Sequence, residues 1–276
     1  MAAGQQTLGL EGIVTSWTGT ANTALIGAIT EHTATLNIDG GTADRTGYVA
    51  SLSSMAMGPG LRSWSGSIKG RYSGAGTAQV GYLGAVTYAS GYTYHVQGWS
   101  AAIKSKALEI TAYDASATAA GWKQFRPGIL SIDGKYDALV DSANAIVLPT
   151  APGSASAAAT FTLTTGVTLA ANILPSAIGV TVPVGDLNKV AYSWVADGAL
   201  TAAGSNNIFA AGAVALPDWD TSGTDGVPDA TLVFQAASSR TYTGAAFWTS
   251  INIDHKPGSY IDVTVNFQGS GALTVG

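Results

Sequence analysis

The sequence predicts an all-β protein with long loops, on three observations. Several runs alternate strictly between apolar and polar residues. Those runs are filled with Val, Ile, Thr and aromatics. Helical periodicity is scarce. Taken in order, Thr33 to Asp39 sets Ala34, Leu36 and Ile38 against Thr35, Asn37 and Asp39. Trp64 to Tyr72 places Trp64, Ile68 and Tyr72 on one face and Ser65, Ser67, Lys69 and Arg71 on the other. The uncharged stretch Val167 to Val184 contains Asn172, Pro175, Ser176 and Pro183, which reads as strand, loop and strand and not as a membrane span. Ser250 to Asp254 and Ile261 to Phe267 both alternate, and His255-Lys256-Pro257-Gly258 between them predicts a hairpin. The best helical candidates are a short turn near Ala115 to Gly121 and a weaker one near Tyr136 to Asn144.

The chain also repeats itself. Leu36-Asn37-Ile38 followed by Gly47-Tyr48 matches Leu108-Glu109-Ile110 followed by Gly121-Trp122. Ser67-Ile68-Lys69-Gly70-Arg71-Tyr72 matches Ser131-Ile132-Asp133-Gly134-Lys135-Tyr136. This order predicts a partial internal duplication with its seam at Ala89-Ser90-Gly91. Residues 1–91 form a first, partial module and residues 92–276 a second, fuller one. The alternative is a single elaborated sandwich with a pseudo-repeat. Small and polar residues mark long loops at 149–159, 201–207 and 218–229.

Composition narrows the function classes. Of 276 residues only 11% are charged, 46% are hydrophobic, and the net charge is −5. Disorder needs the opposite balance. An acidic chain with scattered basic residues has no patch to grip a phosphate backbone. With no Cys there is no disulfide, thiol nucleophile or thiolate metal site. The N-terminal Met1 to Gln6 lacks the basic and apolar regions of a signal peptide. Low charge with positive mean hydropathy leaves a physical problem: either small polar residues keep the chain dissolved, or partners cover much of its surface.

A search for chemistry finds little. His32, His95 and His255 read as satisfied or solvated histidines, the last at a hairpin tip. No nucleophile elbow, phosphate loop or dinucleotide fingerprint is present. Glu11, Glu31 and Glu109 are the only glutamates and none has an acidic neighbour in sequence. The expectation is therefore a protein that is not an enzyme, with no catalytic, cofactor-binding or metal site and no cofactor. Asp218 to Asp229 opens like a calcium loop (Asp-x-Asp-x-Ser-Gly), but its twelfth residue is Asp and no helix pattern flanks it, so an acidic turn facing water is the favoured reading. Trp17, Trp64, Trp99, Trp122, Trp194, Trp219 and Trp248 suit core and interface packing, with a sugar-stacking platform as the alternative.

Gly98-Trp99-Ser100, Leu108-Glu109-Ile110-Thr111, Asp114, Trp122 and the run Gly128 to Asp137 form an order that resembles the major tail tube proteins of long-tailed (siphovirus-type) bacteriophages. The close, Tyr242 to Ile251, a polar hairpin, then Val263 to Leu273, is similar to the same family. The resemblance covers about Tyr92 to Gly276 well and Gly12 to Tyr72 in part. It implies a β-sandwich or split-barrel fold and a structural virion protein of the tail, made in the host bacterial cytoplasm. It further implies self-assembly through sheet edges into stacked rings, trimeric or hexameric, and contacts with other tail proteins at the tube ends. DNA would pass through without specific binding, and no membrane is involved. Some of Asp39, Glu109, Asp133 and Asp262 on polar strand faces are candidates for the lumen wall, with the outward face of the tube as the alternative. The alternative function is a non-catalytic carbohydrate-binding β-sandwich of a surface or secreted protein.

Overall fold

The computed structural model describes residues 7–18, 20–44, 57–73, 85–88, 92–93, 95–111, 121–139, 156–184, 188–204, 230–237 and 240–276. In chain order the elements are β1 (Thr7–Trp17), α1 (Thr20–Gly27), β2 (Ile29–Asp39), β3 (Thr42–Asp44), β4 (Met57–Pro59), β5 (Ser63–Tyr72), β6 (Val86–Tyr88), β7 (Tyr92–Thr93) and β8 (His95–Glu109). They continue with β9 (Phe125–Leu139), β10 (Ala157–Thr164), β11 (Val167–Thr181), β12 (Lys189–Ala196), β13 (Thr201–Ala203), β14 (Thr231–Ala237), β15 (Arg240–His255), β16 (Asp262–Gly269) and β17 (Thr274–Val275). The all-β architecture expected from the sequence is observed, with fifteen strands in one sheet and β3–β4 paired separately.

Part of that sheet closes on itself. Strands run in the order β14-β1-β2-β5-β16-β15, and β15 returns to β14, giving a six-stranded barrel with no open edge around its circumference. The length of β15 makes this possible. Its first part pairs with β14 from Arg240 to Ala245, and the rest pairs with β16 from Ala246 to Asp254. A register irregularity between Trp248 and Ser250, just inside the part paired with β16, lets the strand bend soon after it changes partner. The barrel interior is aromatic: the rings of Trp17 and Trp64 meet Phe267 edge-on at 6.0 and 6.2 Å. Both indoles find acceptors, Trp17 Nε1 donating to the Ala246 carbonyl (3.2 Å) and Trp64 Nε1 to that of Gly271 (3.1 Å).

From β15 the sheet continues through β8, β9, β12, β11, β10, β6 and β7. It curls enough to bring β10 over β8 and β9. Phe161 of β10 lies 5.4 Å from the Trp99 ring, 4.8 Å from Trp194 and 6.5 Å from Tyr136. Tyr136 and Tyr192 stack at 4.7 Å across β9 and β12. Large buried rings of this kind contribute on the order of 1.5–3 kcal/mol each by leaving water.

The repeated segments occupy corresponding places. Ser67 to Tyr72 lies in β5, antiparallel to β2, and Ser131 to Tyr136 lies in β9, antiparallel to β8. Ile68, Tyr72, Ile132 and Tyr136 are all buried. Gly134 is required by close approach: a Cβ there would come closer than 3.0 Å to the Ser100 carbonyl and the Trp194 ring. Strands preceding the proposed seam pair with strands far beyond it, β5 with β16 and β6 with β10. Ala89-Ser90-Gly91 itself lies outside the described residues.

Several local expectations change. Tyr136 to Leu139, read as helical, is strand, because Tyr136 and Ala138 alternate inward while Asp137 points out; residues 140–144 lie outside the described part. The turn near Ala115 to Gly121 also lies outside it, apart from Gly121. Helix α1 carried no warning, since its sequence TANTALIG has no charged residue in its first or last turn. Val167 to Thr181 is one strand, not two, because Pro175 sits at a register irregularity between Pro175 and Ala177 that accommodates its missing N–H. Ala157 to Ala159 and Thr201 to Ala203, expected in loops, belong to β10 and β13, while residues 149–155, 205–207 and 218–229 are outside the described residues. The C-terminal hairpin forms with Asp254 opposite Asp262. Its turn begins one residue late, so His255 ends β15 and is buried instead of solvated.

Candidate functional site

Two surface features stand out, a broad polar face and an apolar edge that has no strand partner among the described residues. The polar face arises because every alternating strand turns its small polar residues the same way. Cross-strand partners line up as Thr35, Ser67, Asn266, Ser250, Lys104 and Ser131 over six consecutive strands. A second row runs Arg71, Asp262, Asp254, Ser100, Lys135 and Ser193. The Asn266 and Asn252 amides both donate to Ser250 Oγ, at 2.7 and 3.2 Å.

This face is hollowed. A cavity of about 840 Å³ lies over Ser100, Asp133, Lys135, Asn252, Asp254 and Thr264. A hollow of about 430 Å³ adjoins it through Lys135 and Asp254, and another of about 440 Å³ through Asp262 and Thr264. Together they form a trough across the strands. Its charges are mixed. Lys104 Nζ holds Asp133 at 2.6 Å, Lys256 Nζ holds Asp254 at 2.7 Å, and Arg71 binds Glu31 while its guanidinium lies 4.0 Å from the Tyr260 ring. Asp254 raises the pKa of Lys256 by this bond. Such exposed pairs stabilise little. Lys104→Ala is therefore expected to change stability by less than about 1 kcal/mol in urea unfolding.

Of the four candidate wall acids, the trough brings together Asp133 and Asp262. Asp39 instead accepts the Gly41 N–H (3.2 Å) at the end of β2, and Glu109 pairs with Lys123 (3.0 Å) at the far end of β8. Among the described tryptophans, Trp17, Trp64, Trp99, Trp122, Trp194 and Trp248 are all buried, so none offers a sugar-stacking surface; Trp219 and the acidic loop Asp218 to Asp229 lie outside the described residues. His32 Nε2 meets the Val14 carbonyl at 3.2 Å, and the side chain of His95 is outside the described part. Among the described residues no group of three or more His, Cys, Asp or Glu is placed to hold a metal. No helix among them is long and apolar enough to cross a membrane.

The edge lies on β11. Up to Ile173 that strand is flanked by β10, and from Ile173 to Thr181 by β12. The other flank of Ser176 to Thr181 has no strand partner among the described residues. Ile178 and Val180 stand opposite the buried Tyr192 and Val190, so their row continues the face that elsewhere is core. Beyond the covered region Val180 is 50% exposed, and past the end of the strand at Thr181 Val182 is 69% and Val184 fully exposed. From Ala177 to Val184 there is no charge. The sequence signal for this edge was present as the uncharged run, but its exposure depends on where β10 stops, which no local pattern encodes.

No protein-family model matches the chain, and no curated protein matches it in sequence. Among solved structures, the chain is similar at a TM-score of 0.32 and 10% identity to a protein of the tail of an empty GTA particle with C6 symmetry, over 41% of this chain and 87% of that one.

Proposed function

We propose that this chain is a structural subunit of a phage-type tail that assembles with copies of itself into rings stacked as a tube. The observation that carries the reading is the uncharged flank of β11, unpaired among the described residues, with Val180 exposed on it and Val182 and Val184 exposed just past its end. An edge of this kind is a template for another strand: backbone groups gain partners, and the apolar row leaves water. Solitary proteins blunt such edges with charge or proline, and the edge segment Ser176 to Thr181 carries neither. The resemblance of Gly98 to Asp137 and of the C-terminal hairpin to tail tube proteins gives the assembly its type. In this reading the chain performs no catalysis and binds no cofactor. Its polar trough is the surface past which DNA moves, and its ion-paired charges leave few bare lysines to hold phosphate. Other tail proteins meet the tube at its ends.

The test is assembly against concentration, followed by sedimentation and negative-stain microscopy. Rings or tubes are expected from the purified protein. Val180→Lys with Val182→Lys is expected to raise the concentration needed by at least about tenfold, about 1.4 kcal/mol, with the circular dichroism spectrum unchanged because both side chains are exposed. A wild-type protein that stays monomeric at high concentration, or a double variant that assembles as readily as the parent, overturns the reading.

A further inference from the structure

The imidazole of His255 is completely buried, and neither ring nitrogen has a well-formed hydrogen-bond partner among the described residues. A neutral imidazole carries one donor and one acceptor, and buried polar atoms are nearly always satisfied. Here neither nitrogen makes a well-formed hydrogen bond among the described residues, and the polar groups that pull on the ring are the backbone at His255 and Leu163 and the Asp254 carboxylate. The ring is stacked on Trp99, with centroids 5.3 Å apart and planes 8° from parallel. Trp99 is also its cross-strand partner in β8 and in turn packs on Phe161 of β10. His255 ends β15, the strand that the barrel shares with the second curl of the sheet. The ring therefore sits where the C-terminal hairpin of the barrel meets the strand that closes the second core. A phenyl group would fill that place with no ring nitrogen to satisfy.

The surroundings are poor in charge. β10 carries no ionisable side chain from Ala157 to Thr164 and offers only backbone at Leu163. β8 has none from Val96 to Ile103. β9 contributes the Tyr136 phenol, one ring removed through Phe161. On its own strand the neighbour is Asp254, held by Lys256. We propose that His255 is an acid-sensitive latch: on taking up a proton it leaves the Trp99 stack and loosens the contact between β10 and the β15–β16 turn. Burial holds its pKa below the ordinary 6.5, against smaller opposite pulls from the backbone at His255 and Leu163 and from Asp254. The sign follows. Above pH 6.5 the ring is neutral whether the latch is closed or open. As pH falls below that value the open form binds the proton more readily, and closure weakens until the folded-state pKa is reached.

The experiment follows tryptophan fluorescence of dilute protein from pH 8 to about pH 4.5, a window set by the ordinary histidine range. The parent and a His32→Gln/His95→Gln variant are expected to show one step below pH 6.5, and His255→Phe no step. A step retained at the same pH in His255→Phe overturns the proposal. Should that variant fail to fold, nitrogen NMR of the histidine rings in the parent decides instead. Titration of His255 at or above its ordinary value, or titration without coincident shifts at Trp99 and Leu163, overturns it, and a depressed titration that moves both supports it.

Discussion

Trp64→Ala is expected to lower stability by about 3–5 kcal/mol, measured by urea unfolding. The indole is wholly buried in the barrel, edge-on to Phe267, and donates to the Gly271 carbonyl at 3.1 Å. Its removal leaves a cavity and deprives that carbonyl of its donor. The ring also explains two glycines. A Cβ on Gly269 or Gly244 would fall closer than 3.0 Å to it. Gly269→Val is therefore expected to destabilise by about 1–3 kcal/mol or more through overpacking. In the Trp64→Ala background the valine has space to enter, so the two losses are expected to be strongly non-additive. Simple additivity would show that the ring and the glycine do not share the space described above.

Phe161→Ala is expected to cost a similar amount, about 3–5 kcal/mol. This side chain joins three strands to β10, touching Trp99, Trp194 and Tyr136 within 6.5 Å between centroids. Phe161→Leu keeps most of the volume and is expected to lose less. Both alanine variants are expected to move one common unfolding transition, because β15 belongs to the barrel and to the second curl together. Two separate transitions, with each variant shifting only one, would contradict that coupling.

The strands themselves were largely legible. Trp64 to Tyr72, Thr33 to Asp39 and Ile261 to Phe267 announce themselves by alternation, and β5, β2 and β16 lie on those segments, side by side in the sheet. Their adjacency was not legible, since it joins Ser67 to Asn266 and depends on contacts across the whole chain. Pro175 misled because a proline normally ends a buried strand, whereas here a bulge absorbs it. His255 misled because turn residues follow it directly, and only the packing of β8 and β10 shows that it faces inward. The apolar row of β11 was visible as composition, but exposure is a property of the cover and not of the row.

The barrel's make-up has a bearing on synthesis. Its first three staves end at Tyr72, and the stave that must lie beside the third begins only at Asp262. At roughly 5–20 residues per second, a ribosome needs on the order of 10–40 s to deliver one after the other. Through that interval the nascent polypeptide carries a half-built cylinder, and a message cut short upstream of Asp262 yields no cylinder at all. Closure of the barrel thus waits on the synthesis of β16, and any fragment that lacks this strand leaves the flank of β5 open.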